Sequence, residues 1–196
     1  PDAEASISNY LYRTGIDHLL SNNQIEAARS KLLDLDYLSK MFELDKQNLD
    51  ILQYWLKIGD DNQGKDYINP VNKYLERDLK KEHLEILFNF LDFCSVSGWY
   101  RTGLAVGQNV TKAHVKLLGP EAPETLTTKN NLALLLKDKG EIDAAEALYR
   151  EVLKVRTRVL GPKHSRTLTT KNNLAVLLKD KGEIDAAEAL YREVLK

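Results

Sequence analysis

Thirty residues of this chain occur twice, 42 positions apart. Thr125–Lys154 reads TLTTKNNLALLLKDKGEIDAAEALYREVLK, and Thr167–Lys196 departs from it only where Leu134 becomes Val176. A fixed self-similarity of this length implies stacked supersecondary units rather than one closed globule. Such units expose an extended surface suited to binding other molecules. The last residue, Lys196, matches Lys154, which lies inside a helical pattern. The chain is therefore expected to be part of a longer protein.

Bulk properties narrow the functions. The formal net charge is −1 over 196 residues, with both signs interspersed. No basic excess draws the chain to nucleic acid or to an anionic membrane. No apolar run approaches the roughly 18 residues that span a bilayer. Cys94 is the sole cysteine, so neither an internal disulfide nor a multi-cysteine zinc site can form, and a reducing cytoplasm is the expected setting. The N-terminal PDAEAS lacks the basic start and apolar stretch of a signal peptide.

One repeat reads as two helices. Pro120 and Pro123 punctuate a loop, and Pro123 suits a first helical turn, where its missing N–H costs nothing. Leu126, Leu132, Ala133, Leu135 and Leu136 follow at helical spacing. Gly140 ends that helix. Ile142, Ala145, Leu148, Tyr149, Val152 and Leu153 mark the second, with Asp143 and Glu146 near its positive end. Gly161-Pro162 closes the unit. Ala133 and Ala145 are small where the two helices should cross. Alone, this hairpin cannot cover its apolar sides, so it must stack on a neighbour.

Leu132, Ala133, Gly140, Ala145 and Tyr149 resemble the pattern of the tetratricopeptide repeat, whose usual period is about 34 residues. The longer period here, with its Gly-Pro link and TLTTKNNLA string, looks like the repeats of kinesin light chain and of nephrocystin-like proteins. The resemblance implies an all-α, right-handed superhelical solenoid of helix-turn-helix repeats. The array is expected over 81–196, with a full repeat at 125–166 and a truncated one at 167–196. A degenerate repeat is expected at 83–124, where Gly98 falls under Gly140, Gly119-Pro120 under Gly161-Pro162 and Asn89 under Asn131. Phe88, Phe90, Phe93 and Gly107 depart from the pattern, as in a capping unit.

Residues 1–80 read as an irregular helical segment, with helices near 6–21, 25–34, 36–43, 46–58 and 69–79. Asn69-Pro70 suits a cap and first helical position. Strings such as Leu32-Leu33-Asp34-Leu35-Asp36-Tyr37-Leu38 and Leu52-Gln53-Tyr54-Trp55 are similar to the helical segment that precedes the repeats in STAND-class signalling ATPases.

Most chemistry-bearing residues have plain structural readings. Gly59 to Gly64-Lys65-Asp66 has the spacing of a phosphate-binding loop. However, Asp66 stands where Ser or Thr must hold magnesium, Asp60 and Asp61 would repel phosphate, and a helix rather than a strand precedes it. It reads as a solvated loop. His18, His83, His114 and His164 lack metal-ligand spacing and read as surface or capping residues. Cys94, Trp55 and Trp99 read as packing. Asn109-Val110-Thr111 is a glycosylation sequon without meaning in the cytoplasm. No nucleophile, metal site or cofactor loop is present, so neither an enzyme nor a cofactor is expected.

The candidate site is a stripe. Thr127, Asn131, Leu134 and Asp138 share one face of the first repeat helix at i, i+4, i+7 and i+11. Asn130 and Lys137 flank them. Thr169, Asn173, Val176 and Asp180, with Asn172 and Lys179, repeat that face one unit later. The resemblance implies that this helix lines a concave groove, and that groove asparagines hold an extended peptide as they do in kinesin light chain. An asparagine donates and accepts at once, so it can pair with a peptide backbone whatever its side chains. Asn89, Asn131 and Asn173 match in register as a ladder. The alternative is that Asn130 or Asn131 bonds a neighbouring helix.

The expected function is protein–protein interaction, as the sensor or scaffold arm of a larger STAND-type signalling protein, with a protein or peptide partner. A kinesin-light-chain-like cargo adaptor is the first alternative, and repeats serving only self-assembly the second. In the truncated repeat no following unit covers Ala187, Leu190, Tyr191 and Val194, so end-to-end packing through this surface is expected.

Overall fold

The computed structural model describes residues 12, 14–44, 49–59 and 64–195. All regular structure among the described residues is helical. The chain divides into two compact units, Pro1–Thr102 and Gly103–Lys196.

The first unit contains a helix over residues 14–21 (α1), then α2 (Ile25–Leu32), α3 (Leu35–Leu44), α4 (Leu49–Ile58), a 3-10 turn (Lys65–Tyr67), α5 (Ile68–Leu75) and α6 (Glu82–Val96). The expected helix starts at 6–11 and 46–48 lie outside the described residues. Asp34 starts α3 by accepting from the Asp36 and Tyr37 amides at 2.9 and 3.2 Å, which satisfies two otherwise orphaned donors. The expected cap at Asn69-Pro70 is corrected. Helix α5 grows directly out of the 3-10 turn and begins at Ile68. Pro70 is thus its third residue, still in the turn where a missing N–H is harmless. The helix ends at Leu75.

An aromatic cluster fills this unit. Trp55, Tyr67, Phe90, Phe93 and Trp99 are all buried. Their ring centroids lie 4.9 to 6.2 Å apart, in edge-on and tilted arrangements. These are the favoured geometries for quadrupolar rings. The buried Tyr67 hydroxyl donates to the Leu32 carbonyl at 2.6 Å and accepts from Trp55 Nε1 at 3.2 Å, so neither polar atom is stranded. Cys94 lies in the same core, and burial pushes its thiol well above the ordinary range.

The expectation of a solvated loop from Gly59 to Asp66 is corrected at Gly64. Residues 60–63 lie outside the described set, but Gly64 is buried with φ +70° against the Trp99 indole. A Cβ there would stand 2.1 Å from Trp99 Cε3. Asp66 takes a hydrogen bond from Arg29 Nε on α2 at 3.0 Å. Gly64 fits there because glycine alone combines this φ with so close an approach.

Helix α7 (Tyr100–Leu118) begins at the end of the first unit and continues in the second. The second unit then holds α8 (Pro123–Asp138), α9 (Ile142–Leu160), α10 (Ser165–Lys181) and α11 (Ile184–Val194). Pro123 is the first residue of α8, as its chemistry predicts. Gly140 and Gly182 take φ of 89° and 90° in the turns after α8 and α10. The two hairpins are built alike. Lys129 pairs with Glu151 at 2.6 Å in the first, and Lys171 with Glu193 at 2.8 Å in the second.

Ala133, Ala145, Tyr149, Leu174, Leu177, Leu178 and Ala187 form one core across both hairpins. The small residues Ala133 and Ala145 are fully buried in it. Burial of Ala187 corrects the expectation that it is uncovered: α10 covers it from within the hairpin. Leu190, Tyr191 and Val194 remain half-buried, and Ile184 and Leu195 are exposed.

Candidate functional site

The stripe residues sort by what already holds them. Asn130 is 6 % exposed, and its Oδ1 accepts from Thr170 Oγ1 of α10 at 3.4 Å. Thr127 donates its hydroxyl to the Pro123 carbonyl at 2.8 Å and accepts from Arg156 Nη2 of α9 at 2.9 Å. Lys137 reaches Asp180 at 3.1 Å and Asp138 at 4.0 Å, tying α8 to α10. These side chains join helices. Asn131 is also buried.

Others keep open surface. Leu134, Val176 and Asn173 are half-buried, while Thr169, Asn172 and Lys179 are exposed. The Thr169 hydroxyl turns back to the Ser165 carbonyl at 3.0 Å. Asn89 is half-buried on α6 of the first unit. Leu134 and Val176 occupy the same place in the two hairpins, so the second unit presents an apolar side chain at each repeat with polar groups around it.

The polar residue that does most to join the helices is absent from the predicted stripe. Arg156 of α9 is 2 % exposed. Its Nη1 donates to the Arg166 carbonyl at 3.0 Å and to Thr170 Oγ1 at 2.7 Å, and its Nη2 to Thr127. One guanidinium therefore pins α8, α9 and α10. Burial, and then the charge of Arg166, push it down to about 10. A signal was available: Ala145, Tyr149, Val152 and Arg156 are spaced 4, 3 and 4 residues apart on the buried side of α9.

A second polar junction sits at the other end of the hairpins. Lys181 at the end of α10 reaches Glu146 at 2.8 Å, Asp143 at 3.2 Å and Glu183 at 3.3 Å. The hydrogen bond from Lys181, followed by that from Arg150, holds the Glu146 carboxyl below its usual range.

The histidines depart from expectation at one position. His83 and His164 accept from the Lys80 and Arg166 amides at 2.9 and 3.2 Å, as capping residues do, and His18 is exposed. His114, expected at the surface, is buried. It lies on the inward stripe of α7, and its Nδ1 lies 3.0 Å from the Val110 carbonyl.

A cleft of about 350 Å³ in the first unit is lined by Asp34, Asp36, Lys73, Tyr74 and Arg77 among others. Its charges serve the fold: Asp34 caps α3, and Arg77 pairs with Asp36 at 3.3 Å while stacking on Tyr74. Among the described residues, no group of three or more His, Cys, Asp or Glu side chains could hold a metal. No helix among them is long and apolar enough to cross a membrane.

Comparison with known proteins agrees with this architecture. Residues 104–196 match the family model of the tetratricopeptide repeat. No curated protein sequence matches the chain. Among solved structures, BtubC (BKLC) of P. vanneervenii superposes with a TM-score of 0.58 at 20 % identity, covering 89 % of this chain and 72 % of that one. The nearly identical TPR-like repeats of a Podosopora anserina kinesin-light-chain-type protein superpose with a TM-score of 0.59 at 16 % identity. They cover 95 % of this chain and 93 % of theirs. A single-substitution variant of that protein gives the same values. At these identities the likeness establishes the fold, an all-α solenoid of tetratricopeptide-type hairpins.

Proposed function

We propose that the chain is a protein-interaction module that holds an extended peptide along the first helices of its repeats, α8 and α10. The observation that carries this reading is the division within the stripe. Thr127, Asn130 and Lys137 are committed to neighbouring helices, whereas Leu134, Val176, Asn173 and Lys179 keep surface at matching or adjacent places. An apolar side chain at each repeat offers burial to alternate side chains of a ligand. Asparagines beside them offer both a donor and an acceptor to its backbone. The tetratricopeptide match over 104–196 supports a binding role.

The larger setting we infer is a signalling protein of the STAND type, with this chain as its sensor arm, in the cytoplasm. A cargo adaptor of the kinesin light chain type is the second reading. It is favoured by the likeness to the Podosopora anserina repeats. The complete reading frame separates them: an upstream nucleotide-binding module supports the first, and an upstream heptad array the second.

The binding test begins with a displayed peptide library selected on the 196-residue chain. Asn173→Ala should weaken the selected peptide about fivefold, at roughly 1 kcal/mol for the backbone pair lost. Asn130→Ala should instead lower the melting temperature and leave peptide affinity nearly unchanged. If Asn173→Ala binds normally but melts far lower, that asparagine is structural and the groove reading fails.

A further inference from the structure

The near-zero net charge of this chain conceals a segregation. Residues 93–120 and 152–179 contain none of its 29 acidic side chains but ten of its 28 basic ones. The first run spans α7; the second spans the end of α9, the linker after it and most of α10. Six of these cations lie in the second unit and are exposed: Lys112, Lys116, Lys154, Arg158, Lys163 and Arg166. Lys112 and Lys116 stand one helical turn apart on α7, and Lys154 and Arg158 repeat the pair 42 residues later on α9. The ion pair between Arg158 and Glu121 sets the end of α9 beside the linker that follows α7. Lys163 and Arg166 flank the start of α10, at the places where Glu121 and Glu124 flank the start of α8. Two exposed charges thus change sign between hairpins whose packed interiors match. The exposure belongs to the repeat itself: Lys112, Lys116, Glu121 and Glu124 are also exposed, although α9 and α10 follow them. Among the described residues, only Arg158 of the six has a carboxylate partner, and an exposed pair of this kind is worth little.

We propose that this cationic surface, formed by α7, α9 and the start of α10, docks a short acidic segment of a partner protein. Charge complementarity supplies the attraction and the choice of partner. The surroundings favour a short segment over a long polyanion. Outside the two runs the chain carries 29 acidic against 18 basic residues. A nucleic acid or an anionic bilayer would meet that negative surface around the patch, whereas a short segment reaches the cations alone within a screening length of about 8 Å. Nor is there a ring to stack a nucleic-acid base: Tyr149, the only Phe, Trp or Tyr over 101–190, is buried. The surface lies off the groove stripe of α8 and α10 and stands without it.

The probe is a labelled peptide of alternating Glu and Ser, titrated with the 196-residue chain at low salt by fluorescence anisotropy. Saturable binding is expected, and a Gln-Ser peptide should not bind. Lys163→Glu with Arg166→Glu should weaken binding by about tenfold or more. This pair installs the carboxylates that already stand before α8, so circular dichroism should show the variant folded. Lys112→Glu with Lys154→Glu provides a second disruption on the helices themselves. Lys139→Glu, in the turn between α8 and α9, should leave the affinity nearly unchanged. Three results would overturn the proposal: no binding up to about 1 mM, equal binding of the Gln-Ser peptide, or indifference to both double substitutions. Tighter binding of a single-stranded oligonucleotide or of phosphatidylserine vesicles, abolished by the same substitutions, would assign the surface to another polyanion and would equally defeat it.

Discussion

His114 and Arg156 stand 42 residues apart and occupy the same place on α7 and α9, where they are 1 % and 2 % exposed. Their surroundings correspond. Thr128 donates to the Glu124 carbonyl at 3.1 Å, and Thr170 to the Arg166 carbonyl at the same distance. The neighbouring charge is reversed: Glu124 acts on His114, and Arg166 on Arg156. The repeat thus keeps a buried polar position and changes its protonation chemistry. One copy holds a base able to be neutral; the other holds a cation kept by hydrogen bonds to a carbonyl and two hydroxyls.

Arg156→Met should be tolerated better than Arg156→Ala. Thr127 and Thr170 each donate to a carbonyl of their own helix, so loss of the guanidinium strands no hydroxyl donor. Methionine fills much of the volume and removes the desolvated charge, which is often neutral or stabilising. Alanine leaves a cavity and should cost about 2–4 kcal/mol. Urea denaturation of both variants checks the order, and a methionine variant as weak as the alanine variant contradicts it.

Acid should destabilise the chain in part through His114. Burial lowers its folded-state value below the ordinary 6.5. Above 6.5 both states are neutral and stability is complete. As pH falls through 6.5, the unfolded chain takes up the proton first, and stability declines until the folded-state value is passed, by at most about 1.4 kcal/mol per pH unit. His114→Leu should flatten that part of the acid limb in urea midpoints. Glu146, whose carboxyl is held below its ordinary range, begins to lose its contribution only at more acid pH. Parallel acid limbs for parent and variant would rule the effect out.

Gly64→Ala should be among the most damaging single changes, costing about 3 kcal/mol or more. It adds a left-handed backbone penalty to a clash with the buried Trp99 ring. Gly98→Ala offers the control: φ is +76°, but the nearest Tyr100 atoms lie 4.0 Å from the added carbon, so only the backbone term of about 1 kcal/mol remains. Thermal melts followed by tryptophan fluorescence give the comparison. Equal losses would mean that the indole moves aside cheaply.

Cys94 should resist thiol reagents until the chain unfolds. It is buried, and its thiolate is strongly disfavoured there. Reaction with a disulfide reagent should be slow in buffer and rapid in denaturant. Prompt labelling under native conditions would indicate opening of the aromatic core.

The second unit could be read from its letters because its cues are local. Pro123 opens α8, and Gly140 and Gly182 turn the chain after α8 and α10, each acting within a few residues. The apolar spacing of α9 likewise marked its buried side. Arg156 was missed because a charge on an apolar stripe looks like a surface residue. Its hydroxyl partners come from α8 and α10, far away in sequence. The seat of Gly64 on Trp99 and the burial of Ala187 depend on contacts between elements, and spacing within one helix carries no record of them. In the candidate stripe, the period gave the shared face of Thr127, Asn131 and Leu134. It could not say that Thr127 and Asn130 were already held by Arg156 and Thr170.

Near-identity of the two hairpins poses a problem while the chain folds. Helix α8 could close on α11 instead of α9, and Lys129 would then find Glu193 as readily as Glu151, with the same leucines beneath. The interior hardly distinguishes the native partner from the impostor. What does is proximity. Three residues join α8 to α9, whereas 45 separate α8 from α11. Closing the shorter connection is favoured by about 2 kcal/mol of chain entropy, and it is also faster. Correct partnering is therefore decided by Lys139-Gly140-Glu141. Lengthening that short turn with flexible residues should raise the yield of misassembled protein on refolding before it measurably weakens the native state.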